Sequence, residues 1–412
     1  MNILIINQPL NNRGDEAAHK ALVRSLLDRL PDINIKVLWV YSIQDSINQF
    51  SVKDNRVEYL NLSPGRGFRP CSVDVLKNNR YFLWHLHPTM RKILKLYNGA
   101  DYVICAPGGI CMGGFQSWGH LFYLKLAQYM NKPLIYYGRS FGPFPEITSD
   151  NRKFKKISMD MLHYFSFLSI RDSRTEKLAC ELNIKNYVST VDTAFLDNIK
   201  VKIPKEILKQ INCDKYVVFV PNLLIWHYAY KNRISKDVVI KFYKRIVLEI
   251  IEQYPNYKIV MLPQTFNYKD KMDNDFNFFI ELKNNYNLQQ LVVIPDTFSS
   301  DVQQAVIAKA ACMIGARYHS VVFAINQNIP FVALSYEHKI SGLLETLNKQ
   351  DCMIDIIHAL DNEDTIEATL CEFKNKIKLV KSDISACQTA KSIAGQCMDK
   401  LVQYLNTKCT NA

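Results

Sequence analysis

The sequence predicts an α/β protein made of two doubly wound domains facing a cleft, followed by a C-terminal helical tail. Three observations carry this. Short β-branched apolar runs alternate with longer amphipathic stretches along the chain, and continuous apolar strands belong to parallel sheets covered on both faces. The rhythm runs twice, interrupted by the polar, lysine-rich stretch Asp197–Asp214 with Pro204, which reads as a linker. The length, 412 residues, suits two or three domains at roughly 100–200 residues each.

In the first half the expected strands are Ile3–Asn7, Ile35–Val40, Tyr102–Cys105, Leu134–Tyr137, Phe167–Ile170 and Tyr187–Val191. The clearest helix is Asp15–Leu30, with Ala18, Leu22, Leu26 and Leu30 on one stripe. Asp54–Lys95 follows neither rhythm and reads as an insertion. In the second half, strands Tyr216–Val220, Lys258–Leu262, Leu291–Ile294, Cys312–Gly315 and Phe331–Leu334 alternate with helices near Lys236–Gln253, Asp270–Asn285, Asp301–Lys309, Ser320–Asn328 and Ser341–Asn348. Beyond Asp361 the chain reads as helical, with a last helix near Ile384–Leu405. The expected division is residues 1–200 as the first domain, with the basic and aromatic insertion 54–95, residues 211–360 as the second, and 361–412 as the tail.

Composition narrows the function. With 48% hydrophobic residues the chain is neither disordered nor collagen-like. Its 51 Lys+Arg outnumber 39 Asp+Glu, giving +12. Residues 1–200 hold +9 of this and the remainder +3. Such a balance points to an anionic partner. The 11 cysteines are scattered, with no CxxC pair and no zinc-spaced Cys/His cluster. They imply a reduced, cytoplasmic compartment and no metal. No run approaches the ~18 uncharged apolar residues of a membrane span, and Met1–Asn7 is too short for a signal-peptide core.

In open parallel sheets, ligands sit beyond the carboxyl ends of the strands, so the strand-to-helix loops hold the candidate chemistry. In Asn7–Ala17, Gly14 allows a tight turn, and Asp15 and Glu16 fall in the first helical turn. These carboxylates either cap the helix dipole or serve sugar hydroxyls and proton transfer; they would repel a phosphate. In Ala106–Gly114, Gly108 and Gly109 begin a cluster of five of the 14 glycines, ending at Gly119. They permit close backbone approach to a ligand or a tight crossover. The GxGxxG spacing is absent, against a nicotinamide or flavin, and no cofactor is expected. Gly138–Phe144 follows the next strand, and Arg171 sits where the following strand meets a helix. Arg171 is a packing arginine or a ligand contact. Gln264, just past the strand ending at Leu262, joins Gly14, Gly108 and Gly109 as lining of the cleft.

The strongest signal is Ile314–Ser320 followed by Ser335–Lys339, each after a strand and before a helix. If those strands are neighbours, Arg317, His319 and Lys339 converge near two helix N-termini. Guanidinium, imidazole, ammonium and unpaired N–H groups suit a small dianion or trianion.

These residues resemble the polysaccharide pyruvyl transferase family. The matching stretches are Asn12–Ala17, Pro107–Gly109, Ser140–Pro143, Arg171-Asp172, Asp192–Phe195, Gly315–Ser320 and Tyr336–Lys339, spread over residues 1–350. Arg139 stands where a small or polar residue is more usual. The resemblance implies a GT-B-like pair of Rossmann-like domains, the first on the acceptor side and the second on the donor side. It implies transfer of a pyruvyl group from phosphoenolpyruvate to a sugar, expected as a lipid-diphosphate-linked unit, giving a cyclic ketal. It places Arg317 and His319 in the donor site, with Arg171 as a further contact. The chemistry then assigns His319 to protonation or the leaving phosphate, Arg317, Lys339 and Ser320 to donor binding, and Asp15 or Glu16 to hydroxyl activation. Two rivals stand beside this: a nucleotide-sugar glycosyltransferase of similar architecture, and a carbohydrate- or polyanion-binding protein with a decayed site. No nucleic-acid module appears. The insertion carries eight basic and three acidic residues and Tyr81–His87. It reads as a packed helix with a solvated basic face, or as a peripheral contact with the inner face of the plasma membrane.

Overall fold

The computed structural model describes residues 1–8, 12–39, 51–62, 68–114, 116–227, 229–266, 274–286 and 288–409. Val40 and Asp270, expected in a strand and a helix, lie outside them. The chain divides into two units. One comprises Met1–Leu10, Asp15–Asp197 and Ile393–Ala412, the other Asn11–Gly14 and Asn198–Ser392.

The first unit runs β1 (Asn2–Ile6), α1 (Arg13–Arg29, its first two residues grouped with the second unit), β2 (Asn34–Trp39), β3 (Val57–Asn61), α2 (Phe68–Asn78), α3 (Pro88–Asn98), β4 (Tyr102–Cys105), α4 (Trp118–Tyr129), β5 (Leu134–Arg139), α5 (Ser149–Tyr164), β6 (Phe167–Ile170), α6 (Ser173–Glu181) and β7 (Val188–Ser189). Its sheet is parallel, ordered β3-β2-β1-β4-β5-β6-β7. Buried β4, β5 and β6 are mostly apolar because helices cover both faces.

The expected insertion is a correction. Val57–Asn61 is the edge strand of this sheet, paired with β2 in register Ile35–Val57 to Trp39–Asn61. Its half-buried Val-Glu-Tyr-Leu-Asn pattern hides it, since an edge strand keeps polar residues among its apolar ones. The following 3₁₀ turn, Tyr81–His85, is bound to the core through Trp84. The Trp84 ring lies 4.5 Å from Phe122 and 5.6 Å from Tyr129, centroid to centroid.

The second unit runs α7 (Lys205–Ile211), β8 (Tyr216–Val220), α8 (Lys236–Gln253), β9 (Lys258–Met261), α9 (Asp275–Tyr286), β10 (Leu291–Val293), α10 (Ser300–Ile307), β11 (Met313–Gly315), α11 (Tyr318–Asn326), β12 (Phe331–Ser335), α12 (His338–Thr346), β13 (Met353–Asp355), α13 (Glu363–Leu379) and α14 (Ile384–Cys409). The stretch read as a linker thus holds a short helix, α7. The sheet is parallel, ordered β10-β9-β8-β11-β12-β13, so β8 and β11 meet where the winding reverses. The tail is helical as expected. Within the second unit α13 is tied to α8, with Arg245 bonded to Glu363 at 2.6 Å. From Ile393 onward α14 belongs to the first unit, where Tyr102 donates to the Leu405 carbonyl at 3.0 Å.

Asparagine ends many of these helices. Asn79, Asn131, Asn183, Asn212, Asn328 and Asn348 directly follow or lie just past α2, α4, α6, α7, α11 and α12, all at positive φ. This left-handed position usually takes glycine, and asparagine is the common substitute. Sparse glycines are thereby left for close approaches, as at Gly113, where a Cβ would lie 2.4 Å from the Gly142 nitrogen. Among the described residues, no helix is long and apolar enough to cross a membrane.

Candidate active site

The second sheet sets the site. β8 and β11 are adjacent and wound in opposite directions, which is where doubly wound sheets receive ligands. β11 is followed by Ala316 and Arg317, and Arg317 is the N-cap of α11 in extended conformation. This brings the Arg317 and His319 side chains to a helix N-terminus, where first-turn N–H groups have no intrahelical partner. Ser320 is fully buried. Its hydroxyl donates to the Arg317 carbonyl at 2.6 Å, so it closes the first turn. The expected neighbour relation of β11 and β12 is observed.

Arg317 is buried and ion-paired through Nη2 to Asp275 Oδ1. Asp275, the first residue of α9, is itself held by the Gln264 and Thr265 amides, which donate to Oδ2 at 3.0 and 2.9 Å. The guanidinium carbon lies 5.8 Å from the Trp226 ring centre. Trp226 Nε1 in turn donates to Asn222 Oδ1 at 3.1 Å, in the loop after β8. Loops after β8, β9 and β11 therefore fix one cation. Among the described residues, two buried side-chain amides in these loops, Asn222 Nδ2 and Gln264 Nε2, have no hydrogen-bond partner. Buried donors left over in this way are what an oxygen-rich ligand satisfies.

Lys339 pairs with Glu337 at 3.0 Å. Burial opposes ionisation of Glu337, but the Lys339 charge and hydrogen bond outweigh it and hold the carboxyl below its usual range. His227 Nε2 is 4.0 Å from the other Glu337 oxygen. Burial chiefly lowers the His227 pKa, with Lys339 adding to the effect against the pull of Glu337. Its Nδ1 accepts from the Ala229 amide at 3.3 Å, which selects the Nε2–H tautomer. Tyr336 packs edge-on to both His227 and Trp226, at 5.2 and 6.4 Å. The two clusters thus meet at Trp226.

The stretch Asn11–Gly14, though early in the chain, also belongs to this unit. Asn12 bridges Thr265 in antiparallel fashion, and the Arg13 amide donates to the Gln264 carbonyl at 2.8 Å. The Arg13 guanidinium bonds the Asp296 carbonyl and lies 4.5 Å over the Phe266 ring. Gly14 rests against His319: a Cβ there would sit 1.8 Å from Nδ1 and 2.4 Å from the His319 Cβ. The imidazole occupies the space a side chain would need.

The other expected residues lie in the first unit. Asp15 is buried near the start of α1, its carbonyl accepting from Gln8 at 3.3 Å. Glu16 is fully buried and paired with Lys20 at 2.6 Å, one turn along the same helix. Arg171 is buried and ion-paired with Asp192, and its Nε donates to Ser140 Oγ at 3.4 Å. Asp172 caps α6 and accepts from Ser140. Arg171 therefore ties together the loops after β5 and β6. Gly108 has φ +155° and bridges Arg139. The Gly109 carbonyl accepts from Arg139 Nη2 at 2.9 Å, while its own Cα faces open space. Arg139 also bonds the Ala106 carbonyl and the Cys111 thiol, so it staples the glycine-rich loop. Among the described residues, no group of three or more His, Cys, Asp or Glu is placed to hold a metal ion.

Sequence reasoning missed Asp275, Trp226, His227 and Asn222, and quoted Arg13 and Glu337 without giving them roles. Only Arg13 and Glu337 carried a signal, since each lies within a matched stretch.

The family description "Polysaccharide pyruvyl transferase" matches residues 12–338. The amylovoran biosynthesis protein AmsJ of Erwinia amylovora is 22% identical over 400 residues, covering 88% of this chain and 89% of that protein. Among solved structures, UDP-GlcNAc 2-epimerase from Methanocaldococcus jannaschii aligns over 98% of this chain and 99% of its own, with a TM-score of 0.58 and 12% identity. Sucrose-phosphate synthase from Thermosynechococcus elongatus aligns over all of both chains at TM-score 0.57 and 10% identity. Medicago truncatula UGT71G1 aligns over 97% of this chain and 98% of its own at TM-score 0.55 and 11% identity. These structural likenesses show a GT-B-like fold.

Proposed function

The chain belongs to the polysaccharide pyruvyl transferase family, and from that premise we propose that it moves the pyruvyl group of phosphoenolpyruvate onto two hydroxyls of a sugar. A proton adds to the methylene carbon, and C2 takes on oxocarbenium character. One sugar oxygen bonds to C2 and loses its proton. A second sugar oxygen then displaces phosphate from C2, which closes the ketal. One hydroxyl proton balances the proton gained by the methylene carbon, and the other leaves with phosphate.

The observation that carries this reading is Arg317 with His319 at the N-terminus of α11, at the reversal point of the second sheet. Phosphoenolpyruvate brings a carboxylate and a phosphate. Arg317, oriented by Asp275 and Trp226, binds one of them through its planar fork. Lys339 and the α11 dipole bind the other. His319 supplies the proton to the methylene carbon or to the departing phosphate. Asp15, next in sequence after Gly14, activates a sugar hydroxyl. The second unit is then the donor side and the first the acceptor side. We further propose a lipid-diphosphate-linked sugar unit of a surface polysaccharide as acceptor, with the protein at the inner membrane face; the +9 carried by residues 1–200 supports an anionic carrier.

The test is incubation of the full chain with phosphoenolpyruvate and a panel of free and lipid-diphosphate-linked sugars. Release of phosphate together with a mass gain of one pyruvyl ketal supports the reading. Release of nucleotide from a UDP-sugar, with phosphoenolpyruvate left intact, sinks it and favours a glycosyltransferase.

A further inference from the structure

The first unit exposes apolar side chains that its fold has no use for. Phe82, in the 3₁₀ turn Tyr81–His85, is 65% exposed, and Leu86 directly after it is 70% exposed. Large apolar groups exposed this far and close together mark a contact surface more often than chance. The turn that presents them is rigid. Trp84 between them is buried, with ring contacts to Tyr81, Phe122 and Tyr129 at 5.0, 4.5 and 5.6 Å. His85 is held by the half-exposed Tyr129 hydroxyl at 3.0 Å.

The helix that follows is divided by charge. α3 buries Met90, Ile93, Leu94 and Tyr97 and exposes Arg91, Lys92 and Lys95. Among the described residues, none of these three cations forms an ion pair. No Asp or Glu occurs from residue 75 to 100, against five Lys and Arg. An aromatic–aliphatic tip beside unpaired cations is the composition of an interfacial membrane contact.

We propose that the Tyr81–His85 turn, Leu86 and the exposed face of α3 seat this protein on a bilayer rich in anionic lipid, with Phe82 and Leu86 entering the acyl boundary and Arg91, Lys92 and Lys95 at the headgroups. It deepens the reading above, on which it rests for its location, because a lipid-linked acceptor has to be met at a membrane. A second copy of the chain is the poorer occupant. A two-fold contact would bring the same three cations face to face with no carboxylate from this segment to offset them.

The experiment is co-sedimentation of the full chain with vesicles of phosphatidylcholine alone and of phosphatidylcholine with phosphatidylglycerol, without substrate. Binding is expected to the anionic vesicles and to weaken with added salt. Arg91→Gln with Lys92→Gln is expected to reduce partitioning roughly thirty-fold. Phe82→Ser with Leu86→Ser is expected to abolish the binding that persists in salt. All four positions are exposed, and circular dichroism checks that the variants fold. The proposal is overturned if anionic vesicles sediment no protein at low salt, or if both variants bind as well as the parent. It is equally overturned if Phe82→Ser with Leu86→Ser changes only the mass in solution, which would make the patch a protein interface. Calorimetry with phosphoenolpyruvate on the same samples separates the two readings. Vesicle binding without phosphoenolpyruvate binding supports this surface and overturns the donor assignment instead.

Discussion

Replacing Gly14 by alanine puts a methyl group where His319 now stands, 1.8 Å from Nδ1. The imidazole has to move, because its own Cβ is only 2.4 Å away and cannot swing clear. Gly14→Ala is therefore expected to fold, yet to lose on the order of 10²-fold in turnover, close to the loss from His319→Ala, as proton-transfer catalysis is worth roughly 10²–10⁴-fold. Steady-state kinetics on both variants check this, and near-parent turnover in Gly14→Ala would separate the glycine from the chemistry. Asp275→Asn keeps an oxygen for the loop amides but removes the charge that orients Arg317. It is expected to raise the Michaelis constant for phosphoenolpyruvate about tenfold, one charge-assisted bond's worth, with a smaller change in kcat. Arg317→Lys is not expected to restore binding, because an ammonium lacks the planar fork. Arg317 and His319 were legible in the sequence because both lie at one strand-to-helix junction, Arg317 as the cap of α11 and His319 in its first turn. Asp275 and Trp226 were not. They reach Arg317 from loops after other strands, and no local spacing announces a contact made by sheet order.

Helix ends and strand edges explain which elements could be read in advance. Buried strands announce themselves as unbroken apolar runs, as β4 and β8 do. The edge strand β3 has no fully buried side chain and merged into the supposed insertion. That segment is nonetheless part of the core. Trp84→Ala is expected to cost about 3–5 kcal/mol in urea unfolding, as for other buried large-to-small changes. Asparagines at positive φ stop the helices. Asn131→Ala is expected to destabilise by about 1–2 kcal/mol and Asn131→Gly not at all, since only alanine pays the left-handed penalty. Helix α1 carries a pH dependence. Burial, reinforced by Lys20 and Arg24, lowers the His19 pKa to about 3, and its Nε2 lies 3.0 Å from the Tyr59 hydroxyl. Between that value and the unfolded 6.5 the unfolded chain binds the extra proton. His19 thus contributes fully above pH 6.5, and stability falls as pH drops below it. At pH 5 the loss from this one group is about 2 kcal/mol. Melting temperatures from pH 8 to 5 should show the decline, and a flat profile would contradict the buried neutral imidazole.

At the scale of the whole molecule, alternation and one polar break were enough to anticipate two parallel sheets. They could not anticipate that Asn11–Gly14 groups with the second unit, or that α14 ends in the first. Both are decided by long-range packing, to which residue patterns are blind. The charge now separates by unit. In the second, the cations of the site meet Asp275 and Glu337, and in the first, Arg91, Lys92 and Lys95 stand unpaired. A site already balanced in this way is suited to a compact anion that shares Arg317 with Asp275, rather than to a polyanion. The most direct measurement is isothermal titration calorimetry of the full chain with phosphoenolpyruvate, and separately with UDP-N-acetylglucosamine, on the parent and on Arg317→Ala. The expected result is saturable binding of phosphoenolpyruvate that Arg317→Ala abolishes, with no heat from the nucleotide sugar. Binding of the nucleotide sugar alone, or phosphoenolpyruvate binding undiminished in Arg317→Ala, would contradict the account.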